Sequence, residues 1–274
     1  MNPGGKGANQ AVAAARLGGK VTFITKIGND LFGNQAVGLL KKEGIDTRYV
    51  VKDLELPSGV ALITVDSDGE NSIVVAPGSN GNLLPEDIPG NLFETGKFEI
   101  ILLQLEIPIM TVEYSALTAS GNGIKVILNP APAQKLSDYL LKHTWLITPN
   151  ETEAEILTGI KVHDISSAEI AASLLNETGV KNVILTMGAA GAYVKSESYT
   201  GMVPGVKVEA VDTTAAGDVF NGALAISLAE GKDLEDAVVF ANKAAAISVT
   251  RMGAQASAPY RNEIDPSPAP RDLP

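Results

Sequence analysis

From residue 99 onward, short and nearly unbroken apolar runs alternate with stretches of helical periodicity, and this restricts the chain to one broad architecture. EIILLQLE (99–106) and IKVILNPAP (124–132) read as buried strands, followed by helices near 110–120 and 136–141. TWLITPNETEAEIL (144–157) reads as a strand, a loop and a helix, and KNVILTMGAAGAYVK (181–195) as two strands joined at Gly188. Helices at about 217–230 and 234–249 close the series. Strands without polar alternation must be covered on both faces, and strands separated by helices run parallel. The expectation is an α/β fold with a mostly parallel central sheet between helical layers.

Ahead of this region, the pattern predicts a helix over 8–17 ended by Gly18-Gly19, a strand over 21–28, and a helix over 32–43 stopped by Gly44. SGVALITVDSDGENSIVVAPG (58–78) alternates, turns at Asp66-Ser67-Asp68-Gly69 and alternates again, which is a β-hairpin pattern. A hairpin has no place in a parallel layer, so 57–78 is expected to project as a small lid. The last stretch, DPSPAPRDLP, holds too many prolines for a core. One domain over 1–262 and a tail over 263–274 follow.

A formal charge of −11 with no Lys/Arg-rich stretch argues against nucleic acid or anionic membranes as partners. No apolar run approaches the roughly 20 residues of a membrane helix, and the N-terminus lacks the layout of a signal peptide. A soluble, cytoplasmic protein is expected. With no cysteine, thiolate metal sites and disulfides are excluded. His143 and His163 lack ligand spacing and read as loop or helix-end residues.

Two stretches can carry chemistry. The glycine-rich Gly4-Gly5-Lys6-Gly7 runs into an alanine-rich helix. It is not a P-loop, because Gly5-Lys6 is followed by Gly7 where Ser or Thr is required. It is not a dinucleotide fingerprint either, because Gln10 stands where a third glycine is needed and no strand precedes it. In VDTTAAGDVFNGALAISLAEG (211–231), Ala215, Ala216 and Gly217 are small residues at a helix start, whose amides form a natural anion site. Asp218 is then either a charge complementing the helix dipole or a general base beside that site. Asp212 taken alone reads as a turn residue.

DTTAAGDVFNGAL (212–224) resembles the C-terminal signature of the ribokinase-like (PfkB) carbohydrate kinases, and GGKGANQAVAAARLG (4–18) resembles their N-terminal one. QLE (104–106), NPAPA (129–133), PNETEAE (149–155), LTMGAAGA (185–192) and FANKAAAISVTRMGAQAS (240–257) match the family in the same order. The resemblance covers nearly all of the chain before the tail. It implies a ribokinase-like three-layer α/β/α sandwich and ATP-dependent phosphorylation of a sugar. GGKGANQ, NPAPA and AAGD together imply D-ribose, phosphorylated at its 5-hydroxyl, with fructose, 2-keto-3-deoxygluconate and adenosine as alternative acceptors. A homologue that binds nucleotide without turnover is the reading from another class, and sugar-dependent ADP release separates the two.

Phosphoryl transfer is mainly positioning and charge stabilisation, with a base to orient or deprotonate the nucleophile. By resemblance, Asp218 is that base, and the amides of Ala215, Ala216 and Gly217 are the anion hole. Gly5, Lys6, Asn9 and Glu106 match the family's sugar-binding positions, although Lys6 also suits an exposed surface lysine. Asn150 and Glu153 match an element that holds Mg²⁺ largely through water, and the same pair reads as a helix-capping box. Thr186, Gly188, Gly191 and Asn242 match the nucleotide site, where glycines between strands also serve as plain turn residues. A K⁺ ion is implied beside the anion hole, held by Asp212, Ser257 and the carbonyls of Thr214, Ser248 and Gly253. The resemblance also implies a core strand and lid strands ahead of the opening loop. The chain is expected to lack this unit, with two sugar-gripping residues and part of the lid through which the family dimerises.

Overall fold

The computed structural model describes residues 3–65 and 71–265. The first elements are α1 (Lys6–Arg16), β1 (Thr25–Gly28), α2 (Leu31–Lys42), β2 (Val50–Asp53), β3 (Val60–Val65) and β4 (Asn71–Ala76). Then come β5 (Ile100–Leu103), α3 (Ile109–Gly121), β6 (Lys125–Leu128), α4 (Asp138–Lys142), β7 (Leu146–Ile147), α5 (Glu151–Thr158) and α6 (Ile165–Glu177). The chain continues through β8 (Asn182–Thr186), β9 (Gly191–Lys195), β10 (Thr200–Pro204), α7 (Ala216–Ala229), α8 (Leu234–Ser248) and α9 (Arg261–Ile264). His143 ends α4, and His163 precedes α6, as loop and helix-end residues.

The central sheet runs in the order β10-β9-β8-β7-β6-β5. Strands β5 to β8 are parallel, in the register Leu103–Leu128–Ile147–Val183, and β9 and β10 join antiparallel. Side-chain alternation sorts the apolar runs between two cores. Val126, Leu128, Ile147, Val183 and Leu185 pack with α3 and α6 on one face. Ile127, Leu146, Ile184 and Val194 pack on the other with α7, α8 and the Ala13/Leu17 side of α1. Each buried Leu, Ile or Val is worth roughly 1.5–3 kcal/mol, so covering both faces fixes the three-layer α/β/α sandwich. No described helix is long and apolar enough to cross a membrane.

Four elements depart from expectation. The strand read over 21–28 is regular only at Thr25–Gly28 and pairs in parallel with β2 in a separate two-stranded sheet. The sequence reading left α6 unassigned, although Asp164 caps it and Ala168, Ala171, Ala172 and Leu175 repeat at helical spacing on its buried side. It also left β2 and β10 unassigned. The hairpin is present as β3–β4, paired from Val60↔Ala76 to Val65↔Asn71 in a sheet of its own, and its turn at 66–69 lies outside the described residues. Of the expected tail, 263–264 belong to α9 and 266–274 lie outside the described residues.

Two carboxylates fix the base of the hairpin. Asp30 caps α2 through the Gly33 amide at 2.8 Å and accepts from the Ser58 amide at 2.7 Å. Asp53 accepts from the Asn82 side chain at 2.7 Å and from the amides of Glu55 and Leu56. The Asn82 hydrogen bond, then those two amides, hold its carboxyl down at about 2.

Candidate active site

Gln104, Asn129 and Thr148 leave the carboxyl ends of three adjacent parallel strands, immediately after β5, β6 and β7. This is the edge of an open α/β sheet where ligands bind. Over it lie the first turns of α1 and α7. Gly222, one turn beyond Asp218, lets the two helices meet: a Cβ there would stand 2.7 Å from the Gln10 carbonyl and 2.8 Å from the Ala13 Cβ.

That crossing brings the opening helix to Asp218. Asp218 is buried, with Oδ2 accepting from Asn9 Nδ2 at 2.8 Å and Oδ1 from Gln10 Nε2 at 2.9 Å. Burial pushes its carboxyl above the ordinary range, opposed by the Asn9 and Gln10 hydrogen bonds and the charge of Lys6. Helix α1 starts at Gly5, whose φ of 96° suits glycine. No side chain of its own caps it; the Lys6 amide donates instead to Glu106 Oε2 at 2.8 Å. Burial also pushes Glu106 and Glu153 up, while Lys6 lowers both and Asp218 raises both. Lys6, Glu106, Glu153 and Asp218 therefore share one cleft electrostatically, and Lys6 is half-buried, not a free surface charge.

The start of α7 is strained and only partly open. Ala215 caps it in the left-handed region, at φ 61° and ψ 13°, a conformation costing a non-glycine residue roughly 1–2 kcal/mol. The resulting turn directs the Ala216 amide onto Thr213 O at 3.2 Å, so Ala216 is not an available anion donor. The amides of Ala215 and Gly217 have no hydrogen-bond partner among the described residues. Asn221 braces this turn, accepting from Thr148 Oγ1 at 2.6 Å and donating to Gly217 O at 2.8 Å.

Asn150 and Glu153 form the capping box of α5, with Glu153 N donating to Asn150 Oδ1 at 2.8 Å and Asn150 N donating to Glu153 Oε2 at 2.9 Å. Glu153 Oε1 has no hydrogen bond to a described residue, which leaves it to a water or a hydrated cation. No three metal-ligating side chains converge among the described residues. One free carboxylate oxygen suits Mg²⁺, which keeps several waters of its own. Thr186 bridges to Asn150 at the end of β8. Gly188 has open space around its Cα. Gly191 serves packing: a Cβ there would stand 2.2 Å from Val203 O. Asn242 donates to Val203 O and Pro204 O, tying α8 to the end of β10.

Asp212 accepts from the amides of Thr214 at 2.9 Å and Gly253 at 2.8 Å. Hydrogen bonds from Thr214 and from the Gly253 amide hold its carboxyl below the usual range, so it stays ionised. The carbonyls of Thr214 and Gly253 accept no backbone hydrogen bond among the described residues, Ser248 O accepts from Arg251 N, and the buried Ser257 Oγ donates to Ala254 O. Carboxylate and carbonyl oxygens are the donors that hard cations take. Arg16 of α1 holds this loop, donating to Gln255 O and Ala258 O at 2.8 Å each and pairing with Glu43.

Sequence reasoning missed Gln10, Asn129, Gln104 and Asn221 as working residues. All four stand inside the matched motifs, but their roles depend on the α1–α7 crossing.

The sequence profile of the pfkB family carbohydrate kinases matches residues 1–261. The ribokinase of Haemophilus influenzae is 48% identical over 260 residues, covering 95% of this chain and 85% of that protein. The deoxyribokinase of Salmonella typhi is 43% identical over 258 residues, covering 93% and 84%. The structure of the Arabidopsis thaliana ribokinase complexed with ribose and ATP superposes with a TM-score of 0.88 and 31% identity, over 95% of this chain and 86% of that one.

Proposed function

The chain belongs to the pfkB family of carbohydrate kinases, and we propose that it phosphorylates D-ribose at the 5-hydroxyl with ATP, giving ribose 5-phosphate and ADP. It is a phosphotransferase with an alcohol group as acceptor. The observation that carries the residue assignment is the buried Asp218 carboxylate, raised by burial and set beside the Ala215 and Gly217 amides.

In this reading Gly5, Lys6, Asn9 and Glu106 hold the sugar, and Asp218 takes the proton of its 5-hydroxyl. The bond from the sugar oxygen to the γ-phosphorus forms as the bond from that phosphorus to the ADP oxygen breaks. The amides of Ala215 and Gly217 stabilise charge on the group in transfer. Asn150, Thr186, Gly188, Gly191 and Asn242 frame the nucleotide. Asn150 and Glu153 would hold Mg²⁺ through water, supplying positive charge at the phosphates. Asp212, Ser257 and the carbonyls of Thr214, Ser248 and Gly253 would hold K⁺ behind the anion site. Use of ATP supports a cytoplasmic location, and the exposed valines of the hairpin, Val60, Val74 and Val75, support a homodimer contact through the lid.

The 43% identity to a deoxyribokinase supports 2-deoxy-D-ribose as a second acceptor. The test is ADP release with Mg-ATP and K⁺, comparing D-ribose, 2-deoxy-D-ribose and no sugar. Ribose-dependent turnover is expected, reduced by roughly 10²–10⁴-fold in Asp218→Asn, the range for loss of a general base. No turnover with either sugar, while ATP still binds, would overturn the kinase assignment in favour of a nucleotide-binding homologue.

A further inference from the structure

Asp218 is held by two neighbouring amides of α1 that are not equivalent. Asn9 keeps 7% of its surface exposed, and its Oδ1 has no hydrogen-bond partner. Gln10 is 1% exposed and fully committed. Its Nε2 donates to Asp218 Oδ1 at 2.9 Å and Asn129 Oδ1 at 3.0 Å, and its Oε1 accepts from Gln104 Nε2 at 2.5 Å. Asn129 in turn donates to Thr148 O at 3.2 Å. Turning the Gln10 amide over would set its oxygen against two oxygens and its NH₂ against that of Gln104, so a single orientation is satisfied.

The backbone is shaped around this chain of amides. Gly222 admits the Gln10 main chain to α7, and a Cβ at Gly7 would stand 3.0 Å from Gln104 Oε1. The ends of β5 and β6 thus reach Asp218 through one side chain.

We propose that Gln10 is the positioning residue for Asp218, tying Oδ1 to the strand ends so that Oδ2 stays aimed at the sugar hydroxyl when Asn9 turns to the sugar. This rests on the kinase reading above for its catalytic consequence, but the contact itself can be read without turnover. The other charges around the carboxyl are Lys6 on α1, Glu106 after β5 and Glu153 on α5.

The test compares wild type with Gln10→Met, which keeps the length and removes the donors, and Gln10→Glu, which keeps the acceptor. Two readouts are needed: the pH profiles of kcat and KM, and the titration of the Asp218 carboxyl by ¹³C NMR, assigned with Asp218→Asn. In Gln10→Met, kcat should fall roughly 10–100-fold, the loss of one hydrogen bond to a charged acceptor, with KM for ATP unchanged. The carboxylate loses a donor, so the titration midpoint and the acid limb of kcat should both move to higher pH. Gln10→Glu should move them further, because a second carboxyl then faces Oδ1. If Gln10→Met does not fold, Gln10→Glu decides alone. An unmoved midpoint overturns the proposal even if kcat falls, since the loss would then be structural. A wild type without sugar-dependent turnover overturns the kinase reading, while the midpoint still decides the role of Gln10.

Discussion

Ala215 concentrates the cost of the site in one residue. Its left-handed backbone sets the first turn of α7, with the Ala216 amide donating to Thr213 O and those of Ala215 and Gly217 without a hydrogen-bond partner among the described residues. Ala215→Gly relieves roughly 1–2 kcal/mol of strain and adds about 0.4–1 kcal/mol of unfolded-chain entropy. Stability by urea denaturation should therefore be unchanged or rise, by up to about 1.6 kcal/mol. Ala215→Val puts a β-branched side chain at the same φ and should lower both the urea midpoint and kcat; equal values in both assays would show the turn to be unstrained. Legibility at this scale was uneven. Asp218 stands at a helix start of small residues whose chemistry can be argued from residue type, whereas Asn9 and Glu106 enter only through the family resemblance. Gln10 entered the sequence reading only as a position that is not glycine, because nothing local says that its amide meets a carboxylate 208 residues away. The Ala216 amide looked available because sequence does not show the sign of φ at Ala215.

Among elements, the α1–α7 crossing determines whether a site exists. It depends on Gly222, where a methyl group would meet the Gln10 carbonyl at 2.7 Å, the Ala13 Cβ at 2.8 Å and the Ala14 amide at 3.0 Å. Backbone cannot yield as a flexible side chain does, so Gly222→Ala should force the helices apart and cost roughly 1–3 kcal/mol, the usual range for overpacking. Turnover should fall more than stability, because Asn9 and Gln10 withdraw from Asp218 together. Thermal unfolding and kcat on the same sample check this, and a stability loss with kcat intact would count against the crossing as the site's support. The elements themselves were mostly legible: apolar continuity marked β5 to β8, and glycine stops marked α1 and α2. What sequence could not show was partnership. VTFITKIG reads as one strand, yet it pairs in two pieces, Thr22 bridging to Asp46 and Thr25–Gly28 to the unassigned β2, both outside the central sheet.

Across the whole molecule, carboxyl groups pull stability in opposite directions with pH. Asp218, Glu106 and Glu153 are raised by burial, so the folded chain holds their protons more tightly than the unfolded one. Their contribution is present at low pH and is lost as pH rises through the raised values. Asp53 is held at about 2 by Asn82 and the Leu56 and Glu55 amides, and works the other way. Its contribution is present above the unfolded value of about 3.9 and is lost as pH falls toward 2. Asp53→Asn should lower stability at neutral pH and flatten the loss between those limits, measured by urea midpoints across pH; an unchanged acid slope would show that other carboxylates carry it. The sandwich was legible from alternation alone, whereas the long-range ties were not, and these have a consequence in time. α1 finds its partners at Asp218, Gln255 and Ala258, 208 to 242 residues further along the chain. At ordinary rates of synthesis this separation is roughly 10–50 s. Throughout that interval on the ribosome Ala11 and Val12 of the opening helix can pack on Leu40 and Ile45, but its Ala13 and Leu17 side waits for α7 and α8, and the proposed sugar and base residues meet among the last events of the protein's making.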